Sequence, residues 1–215
     1  MDDIEAILFD LDGTLVDSHP GIEQAALLAI ENVLPNVEHH FSKNLIGPPI
    51  KEIFLQSLDS PSEQTLLRLE KAYREIYDHY SCLETIAFPE IHETLTQLVE
   101  QGLDIFVVTN KPTLPTKLIL NHLNLSDLFI EVISPDSFEP SFSSKTATTN
   151  YLIQKNNLKP EKTVFVGDSE DDAKAALLCG LAGFIAVTYG YGKAHLQAQR
   201  KISSFAELLT ILSPS

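Results

Sequence analysis

Short apolar segments alternate with segments of helical periodicity along most of the chain, and this alternation constrains the fold more than any other feature. We predict buried strands at Ala6–Phe9, Ile105–Val108, Phe129–Ile133, Val164–Val166 and Phe184–Val187. Helices are predicted at Pro89–Gln101, Leu114–Leu123, Thr146–Asn156 and Asp171–Cys179. Strands that alternate with helices are typical of a parallel sheet covered on both faces. The sequence therefore predicts a doubly wound α/β fold.

Residues 16–82 interrupt this alternation, because they show helical patterns and no strand pattern. Helical spacing of apolar residues occurs at Gly21–Leu34 and Lys51–Leu58. A third helix is indicated by Ser60-Pro61-Ser62-Glu63, a capping-box pattern with proline at the first helical position. We therefore predict an all-helical domain at 16–82, inserted into an α/β core formed by 1–15 and 83–215.

Composition limits the class of protein. Of the 215 residues, 44% are hydrophobic and 21% are charged, which is enough to form a core. The formal net charge of −15 argues against nucleic-acid binding, which requires a basic surface. Cys82 and Cys179 are too far apart to indicate a disulfide framework or a zinc site.

The sequence shows neither a run of about 18 apolar residues nor a basic N-terminal segment before an apolar one. We therefore expect a cytoplasmic protein with no membrane span. Whether it is a monomer or a homodimer stays open at this point.

Two aspartates, Asp10 and Asp12, follow the first predicted strand directly, in Asp10-Leu11-Asp12-Gly13-Thr14. Two carboxylates about 4 Å apart repel each other by roughly 4 kcal/mol at an effective dielectric constant of about 20. A cation between them, or a proton on one of them, removes that repulsion. The pair therefore indicates a metal site or an acid–base site, although a solvated strand end with an Asp-Gly turn would show the same pattern.

Further polar residues stand at later strand ends and at a helix start. Thr109 and Asn110 follow a strand and could hydrogen-bond an oxyanion, or could form an ordinary strand-to-helix turn. Lys145 stands at the start of a predicted helix, where its charge opposes the helix dipole. It is therefore a candidate ligand for an anion, with a surface lysine as the alternative.

Asp168 follows a buried strand in the same way as Asp10 does. Helix capping accounts for the next acids, Glu170 and Asp171, but not for Asp168. The carboxyl ends of parallel strands lie at one edge of the sheet, where such folds bind ligands. Because oxygen-only ligand sets suit Mg²⁺, we predict a magnesium site at this edge.

The polar residues at these strand ends and at the helix start, taken in chain order, resemble the motifs of the haloacid dehalogenase superfamily of aspartyl-phosphate-forming hydrolases. The resemblance covers the whole chain. The four motifs are Asp10-Leu11-Asp12-Gly13-Thr14, Thr109-Asn110, Lys145 and Gly167-Asp168-Ser169-x-x-Asp172. The phosphoglycolate-phosphatase-like branch with a helical cap is similar in three further segments, Thr109-Asn110-Lys111, Ile46-Gly47-Pro48-Pro49-Ile50-Lys51 and Tyr189-Gly190-Tyr191-Gly192. That branch usually has proline after the motif lysine, where this chain has Thr146.

The resemblance implies a Mg²⁺-dependent phosphatase that acts on a small phosphorylated metabolite, phosphoglycolate or a similar phosphomonoester. In such an enzyme Asp10 is the nucleophile and Asp12 is the general acid and base. The metal is held by the carboxylates of Asp10 and Asp168 and the backbone carbonyl of Asp12, while Asp172 orients its waters. The phosphoryl oxygens are held by a further group of residues, namely Thr109, Asn110, Lys145 and the backbone N–H groups near Gly13.

The helical cap is expected to close over the site and exclude water. Lys51 lies on a predicted helix of this cap, where it could bind the far end of the substrate, for example a carboxylate, or could face solvent. Asp12 favours phosphoryl chemistry, because a leaving halide needs no proton. Two alternatives remain, a phosphomutase of the same fold and a non-catalytic phosphate-binding module.

Overall fold

The computed structural model describes residues 3–42, 45–46, 49–192 and 198–212. The chain divides into two compact units. The first combines Met1–Asp17 with Ala87–Ser215, and the second is Ser18–Ile86. The second unit therefore begins two residues later, and ends four residues later, than the insertion predicted at 16–82.

The described residues form eight strands and eight α-helices. The strands are β1 (Ala6–Phe9), β2 (Val16–Asp17), β3 (Ile86–Ala87), β4 (Asp104–Val108), β5 (Glu131–Ile133), β6 (Thr163–Gly167), β7 (Gly183–Val187) and β8 (Arg200–Ile202). The helices are α1 (His19–Val33), α2 (Ile50–Ser57), α3 (Glu63–Tyr77), α4 (Ile91–Glu100), α5 (Thr113–His122), α6 (Lys145–Lys155), α7 (Glu170–Leu178) and α8 (Glu207–Ile211).

Six of the strands form one parallel sheet in the order β5-β4-β1-β6-β7-β8, which confirms the predicted α/β fold. The strand order reverses at β1, because β4 lies on one side of it and β6 on the other. In this register Phe9 is opposite both Val107 and Val166, so the segments after the three strands start at nearly the same level. Ligands of doubly wound folds bind at such a switch point.

Both faces of the sheet are covered. Leu8 of β1 belongs to a buried cluster with Phe165 of β6 and Leu152 of α6. Phe9, which points to the other face because strand residues alternate, packs against Phe205 with 5.6 Å between the ring centroids. Burial on both faces explains why the central strands are continuous apolar runs rather than alternating ones.

The second unit contains α1, α2 and α3, with α1 packed against α3. The cap of α3 differs from the prediction. Its N-cap is Ser62, whose hydroxyl accepts from Thr65 N–H at 3.1 Å, and the helix therefore begins at Glu63 rather than at Pro61. Ser60 lies outside the helix with a left-handed backbone (φ 48°). Within the predicted segment 46–51, Gly47 and Pro48 lie outside the described residues.

None of the helices in the described parts of the chain combines the length and the apolar character that a membrane span requires.

Candidate active site

The carboxyl edge of the sheet brings together four of the side chains predicted from the sequence. Asp10 follows β1, Asp168 follows β6, Lys145 is the first residue of α6, and Asp172 lies in the first turn of α7. All four are buried. Carboxylate oxygens of the three aspartates lie within 4.8 Å of one another.

Lys145 links two of these aspartates. Its ammonium donates to Asp10 Oδ1 at 2.6 Å and to Asp172 Oδ1 at 2.5 Å. Burial alone would lower the pKa of Lys145, but the charges and hydrogen bonds of the two aspartates outweigh it, so the pKa lies above its ordinary value. The lysine therefore stays charged. A buried ammonium without a partner would be very unfavourable, and the two carboxylates compensate for that cost.

Asp172 also completes the start of α7. Ser169 is the N-cap of this helix, and its N–H and hydroxyl donate to Asp172 Oδ2 at 2.9 and 2.6 Å, while Asp172 N–H donates back to the hydroxyl at 3.3 Å. This reciprocal arrangement is a capping box. Both carboxylate oxygens of Asp172 are therefore bonded to protein donors, one to Ser169 and one to Lys145.

Asp168 is held by backbone groups. Its Oδ2 accepts from Tyr191 N–H at 2.6 Å and from Gly192 N–H at 2.9 Å. Burial raises the pKa of Asp168 to about 6, and the nearby charge of Asp172 adds to this effect despite the two N–H donors. The predicted segment Tyr189-Gly190-Tyr191-Gly192 thus orients a candidate metal ligand, a role that its side-chain types alone do not reveal.

Gly13 and Gly190 leave room for Asp168. Gly13 has a left-handed backbone (φ 79°), and a Cβ there would lie 2.3 Å from Asp168 Oδ2. A Cβ on Gly190 would lie 2.2 Å from the Gly13 carbonyl oxygen and 2.5 Å from Asp168 Cβ. The N–H of Gly13 donates to the Val16 carbonyl at 2.9 Å. In this conformation Gly13 therefore contributes space and backbone shape rather than its own N–H.

The donor set fits a divalent oxygen-binding cation. Asp10, Asp168 and Asp172 with the single ammonium of Lys145 carry a formal charge of −2 when all are ionised. Burial raises the pKa of Asp10 well above its ordinary value; Lys145 opposes this rise, and the other two aspartates add to it. Among the described residues, no donor is bonded to Asp10 Oδ2 or Asp168 Oδ1. A hard divalent cation such as Mg²⁺ would balance this charge and use such oxygens.

Thr109 and Asn110 follow β4, at the same edge. Thr109 is buried, and its hydroxyl accepts from Lys111 N–H at 3.0 Å while it can still donate its own proton. Asn110 is exposed, and its amide lies 3.5 Å from Asp171 Oδ2, which is long for a hydrogen bond. Asn110 and Lys145 both line a cleft of about 470 Å³.

Asp12 is paired with Lys111, a lysine to which we assigned no role from the sequence. The Lys111 ammonium donates to Asp12 Oδ1 at 2.7 Å, and the lysine side chain is only 6% exposed. The sequence feature that could have identified Lys111 as a site residue is its position directly after Thr109-Asn110, at the carboxyl end of β4. Lys51, by contrast, lies on α2 in the second unit, where its ammonium donates to Glu63 Oε1 at 2.6 Å.

Known proteins share this architecture over nearly their full lengths. The family model for haloacid dehalogenase-like hydrolases matches residues 7–187. A phosphoglycolate phosphatase of Aliivibrio fischeri is 32% identical over 99% of this chain and 98% of its own length. One from Yersinia pestis is 33% identical over 96% and 92% of the two chains.

Solved structures agree with these sequence relatives. A predicted phosphoglycolate phosphatase from Haemophilus somnus superposes with a TM-score of 0.84 at 29% identity, over 98% of this chain and 99% of that one. A haloacid dehalogenase-like hydrolase from Streptococcus pneumoniae gives 0.85 at 25% identity, over 98% and 99%. The predicted resemblance and the prediction of a phosphatase-type enzyme are confirmed, and the chain belongs to the haloacid dehalogenase-like hydrolase family.

Proposed function

We propose that the protein is a Mg²⁺-dependent phosphatase that hydrolyses a small phosphomonoester, such as phosphoglycolate, through an aspartyl phosphate on Asp10. The observation that carries this proposal is the buried cluster of Asp10, Asp168 and Asp172 around Lys145. The substrate named for the curated relatives supports phosphoglycolate as the first compound to test.

In the first step a carboxylate oxygen of Asp10 attacks phosphorus, and the bond to the leaving oxygen breaks as Asp12 donates its proton to that oxygen. In the second step Asp12 takes a proton from water and the water oxygen attacks phosphorus. The bond between the Asp10 oxygen and phosphorus breaks, which regenerates the carboxylate and releases inorganic phosphate. The bond from Lys145 to Asp10 Oδ1 orients the nucleophile, so that Oδ2 is the oxygen presented to phosphorus or metal.

The metal would be held by the carboxylates of Asp10 and Asp168 and the backbone carbonyl of Asp12. When bound it supplies positive charge against the phosphoryl oxygens. Asp172 would orient the waters of the metal, and the three hydrogen bonds that its carboxylate accepts from Ser169 and Lys145 hold it in position for that task.

The phosphoryl oxygens would be bound by several groups at the carboxyl edge, namely Thr109, Asn110, Lys145 and the backbone N–H groups next to Gly13. Positioning and neutralisation of charge supply most of the catalysis in phosphoryl transfer. The helical unit Ser18–Ile86 would act as a cap that excludes water. Lys51 would contribute to substrate binding with the ammonium that donates to Glu63 in this structure.

The test measures inorganic phosphate released from p-nitrophenyl phosphate and from a panel of phosphorylated metabolites. We expect many turnovers with Mg²⁺, none with EDTA, and recovery when Mg²⁺ is restored. A single turnover that returns the phosphoryl group to the substrate would indicate a phosphomutase. Phosphate binding without release from any compound would indicate a binding module.

Asp10→Asn tests the nucleophile, because an amide oxygen cannot form the aspartyl phosphate. We expect the variant to fold and to retain less than about a tenth of wild-type turnover. Asp104→Asn is the matched control, since Asp104 is an exposed residue at the other end of β4, and it should retain full activity. Activity of Asp10→Asn above that level would contradict the assignment.

A further inference from the structure

The loop after β7 contacts the two segments through which the chain enters and leaves the helical unit Ser18–Ile86. On the entering side, the Tyr191 hydroxyl donates to Asp17 Oδ1 at 2.8 Å. On the returning side, the Tyr189 ring packs against Phe88 with 4.8 Å between the ring centroids. All four residues belong to the first unit, so these contacts are internal to the unit that carries the candidate active site.

Tyr191 makes a second contact, through its backbone, with a candidate metal ligand. Its N–H donates to Asp168 Oδ2 at 2.6 Å, and the N–H of Gly192 donates to the same oxygen at 2.9 Å. Because both bonds go to one oxygen, they set the direction in which the carboxylate points. Tyr191 therefore binds Asp168 with its backbone and Asp17 with its side chain.

Close packing connects the movement of this loop to the movement of Asp168. A Cβ on Gly190 would lie 2.5 Å from Asp168 Cβ and 2.2 Å from the Gly13 carbonyl oxygen. A Cβ on Gly13 would lie 3.0 Å from Tyr191 Cδ2. Interiors packed at this density transmit a displacement to their neighbours. A shift of Tyr191 therefore changes the position of the Asp168 carboxylate.

We infer that Tyr191 is a positioning residue whose hydroxyl bond to Asp17 couples Mg²⁺ binding at Asp168 to the linker that enters the helical unit. This inference rests on the proposed function, because it takes Asp168 as a ligand of the metal. Coupling between two sites is reciprocal. If the bond to Asp17 favours Mg²⁺ binding, bound Mg²⁺ favours the position of the linker in which the bond is made.

Tyr191→Phe removes the hydroxyl and keeps both the ring and the backbone N–H that donates to Asp168. We expect isothermal titration calorimetry to show an affinity for Mg²⁺ about 5-fold below that of wild type, at the low end of the usual range for coupled sites. Tyr80→Phe is the matched control, because it removes a hydroxyl from a residue of the helical unit that is 73% exposed. Its affinity for Mg²⁺ should equal that of wild type.

Asp17→Ala removes the acceptor of the same bond. The double variant Tyr191→Phe/Asp17→Ala should therefore bind Mg²⁺ no more weakly than Asp17→Ala does, because the bond is already broken in the single variant. Losses of affinity that multiply in the double variant would show that the two residues act separately, which would overturn the inference. Circular dichroism checks the fold of each variant.

Hydrogen exchange of the linker separates positioning from a structural role. In wild type, Mg²⁺ should slow the exchange of the backbone amides of Asp17 and Ser18 by about 5-fold more than it does in Tyr191→Phe, since reciprocity requires a similar factor. A hydroxyl that only stabilised the fold would change exchange by the same factor with and without Mg²⁺. The measurement needs no substrate and is independent of turnover.

Equal affinities for Mg²⁺ in Tyr191→Phe and wild type would overturn the inference, as would an effect of Mg²⁺ on linker exchange that is the same in both proteins. The proposed function fails by a different result. It is lost if wild-type enzyme with Mg²⁺ releases phosphate neither from p-nitrophenyl phosphate nor from any metabolite of the panel, whatever Tyr191→Phe does to the affinity for Mg²⁺.

Discussion

The two ends of strand β1 carry clusters of the same residue types with opposite surroundings. At the carboxyl end, Lys145 binds Asp10 and Asp172, and these side chains are 4%, 9% and 0% exposed. Before the amino end, Glu5 binds Lys159 and Lys162 at 3.1 and 2.8 Å. The lysines of that second cluster are 56% and 28% exposed, and Glu5 is 50% exposed.

The two clusters both pair charges, and burial is what distinguishes the one at the candidate active site. Water screens the cluster around Glu5, so its ion pairs contribute little to stability. The cluster around Lys145 has lost that screening, and its three carboxylates exceed its one ammonium. A fold does not gain stability from such an excess of buried charge, which is the reason to connect this end with a cation and a phosphoryl group.

The largest expected effect comes from removing the buried lysine. Lys145→Met would leave Asp10 and Asp172 without their cation, and we expect phosphate release to fall by about a thousandfold. Unfolding of the metal-free variant at pH 7 should cost about 3–5 kcal/mol less than for wild type. Steady-state kinetics and thermal denaturation measure the two effects. Loss of stability with unchanged turnover would limit Lys145 to a structural role.

An effect of intermediate size is expected on Mg²⁺ affinity when the pH is lowered, because Asp168 must lose its proton before it can bind a metal. Its pKa of about 6 lies above the ordinary value, so the proton competes with Mg²⁺ over the range in which an exposed aspartate would already be ionised. Mg²⁺ affinity should fall by about tenfold for each pH unit below about 6, and protonation of Asp10, whose pKa burial also raises, should add to that loss.

Isothermal titration calorimetry with Mg²⁺ between pH 5 and pH 8 measures this dependence. Glu5→Gln provides the comparison from the exposed cluster. Lys162 and Lys159 lower the pKa of Glu5, so that this acid stays ionised throughout the range and its loss should not alter the profile. An affinity that is the same at pH 5 and pH 7 would contradict the role of Asp168.

The smallest effect is expected from Lys159→Met, which makes in the exposed cluster the same change as Lys145→Met makes in the buried one. The midpoint of thermal unfolding should shift by no more than about 2 °C, and turnover should stay at the wild-type value. Raising the salt concentration should reduce even this shift. A large loss of stability would show that exposure is not what separates the two clusters.

The strands in the middle of the sheet could be predicted from the sequence, whereas the edge strand β8 could not. Every residue of β1, β6 and β7 is buried, and β4 is buried from Ile105 to Val108, so each of these strands contains a continuous apolar run. The edge strand β8 (Arg200–Ile202) has two exposed basic residues and one buried residue, which leaves no apolar run to detect. At the opposite edge, β5 begins at Glu131, two residues later than predicted, because a short 3₁₀ turn at Ser126–Leu128 precedes it.

The same limit applies to the site. Asp10, Asp168 and Lys145 could be identified because each stands where a strand ends or a helix begins. The pair of Lys111 with Asp12 joins residues 99 positions apart, and the donors to Asp168 are backbone groups 23 and 24 positions away. Neither contact has a signature in residue type or spacing, since each depends on how the ends of separate strands meet.

The capping box of α7 has a consequence for local motion. Asp172 completes the hydrogen bonds of the first turn of α7 and also accepts from Lys145, so one carboxylate belongs to the helix start and to the ionic cluster. A change in the charge of that cluster acts on the same carboxylate that closes the first turn of the helix. We therefore expect the exchange of the Ser169 and Asp172 amide protons with solvent to depend on the ionic state of the site.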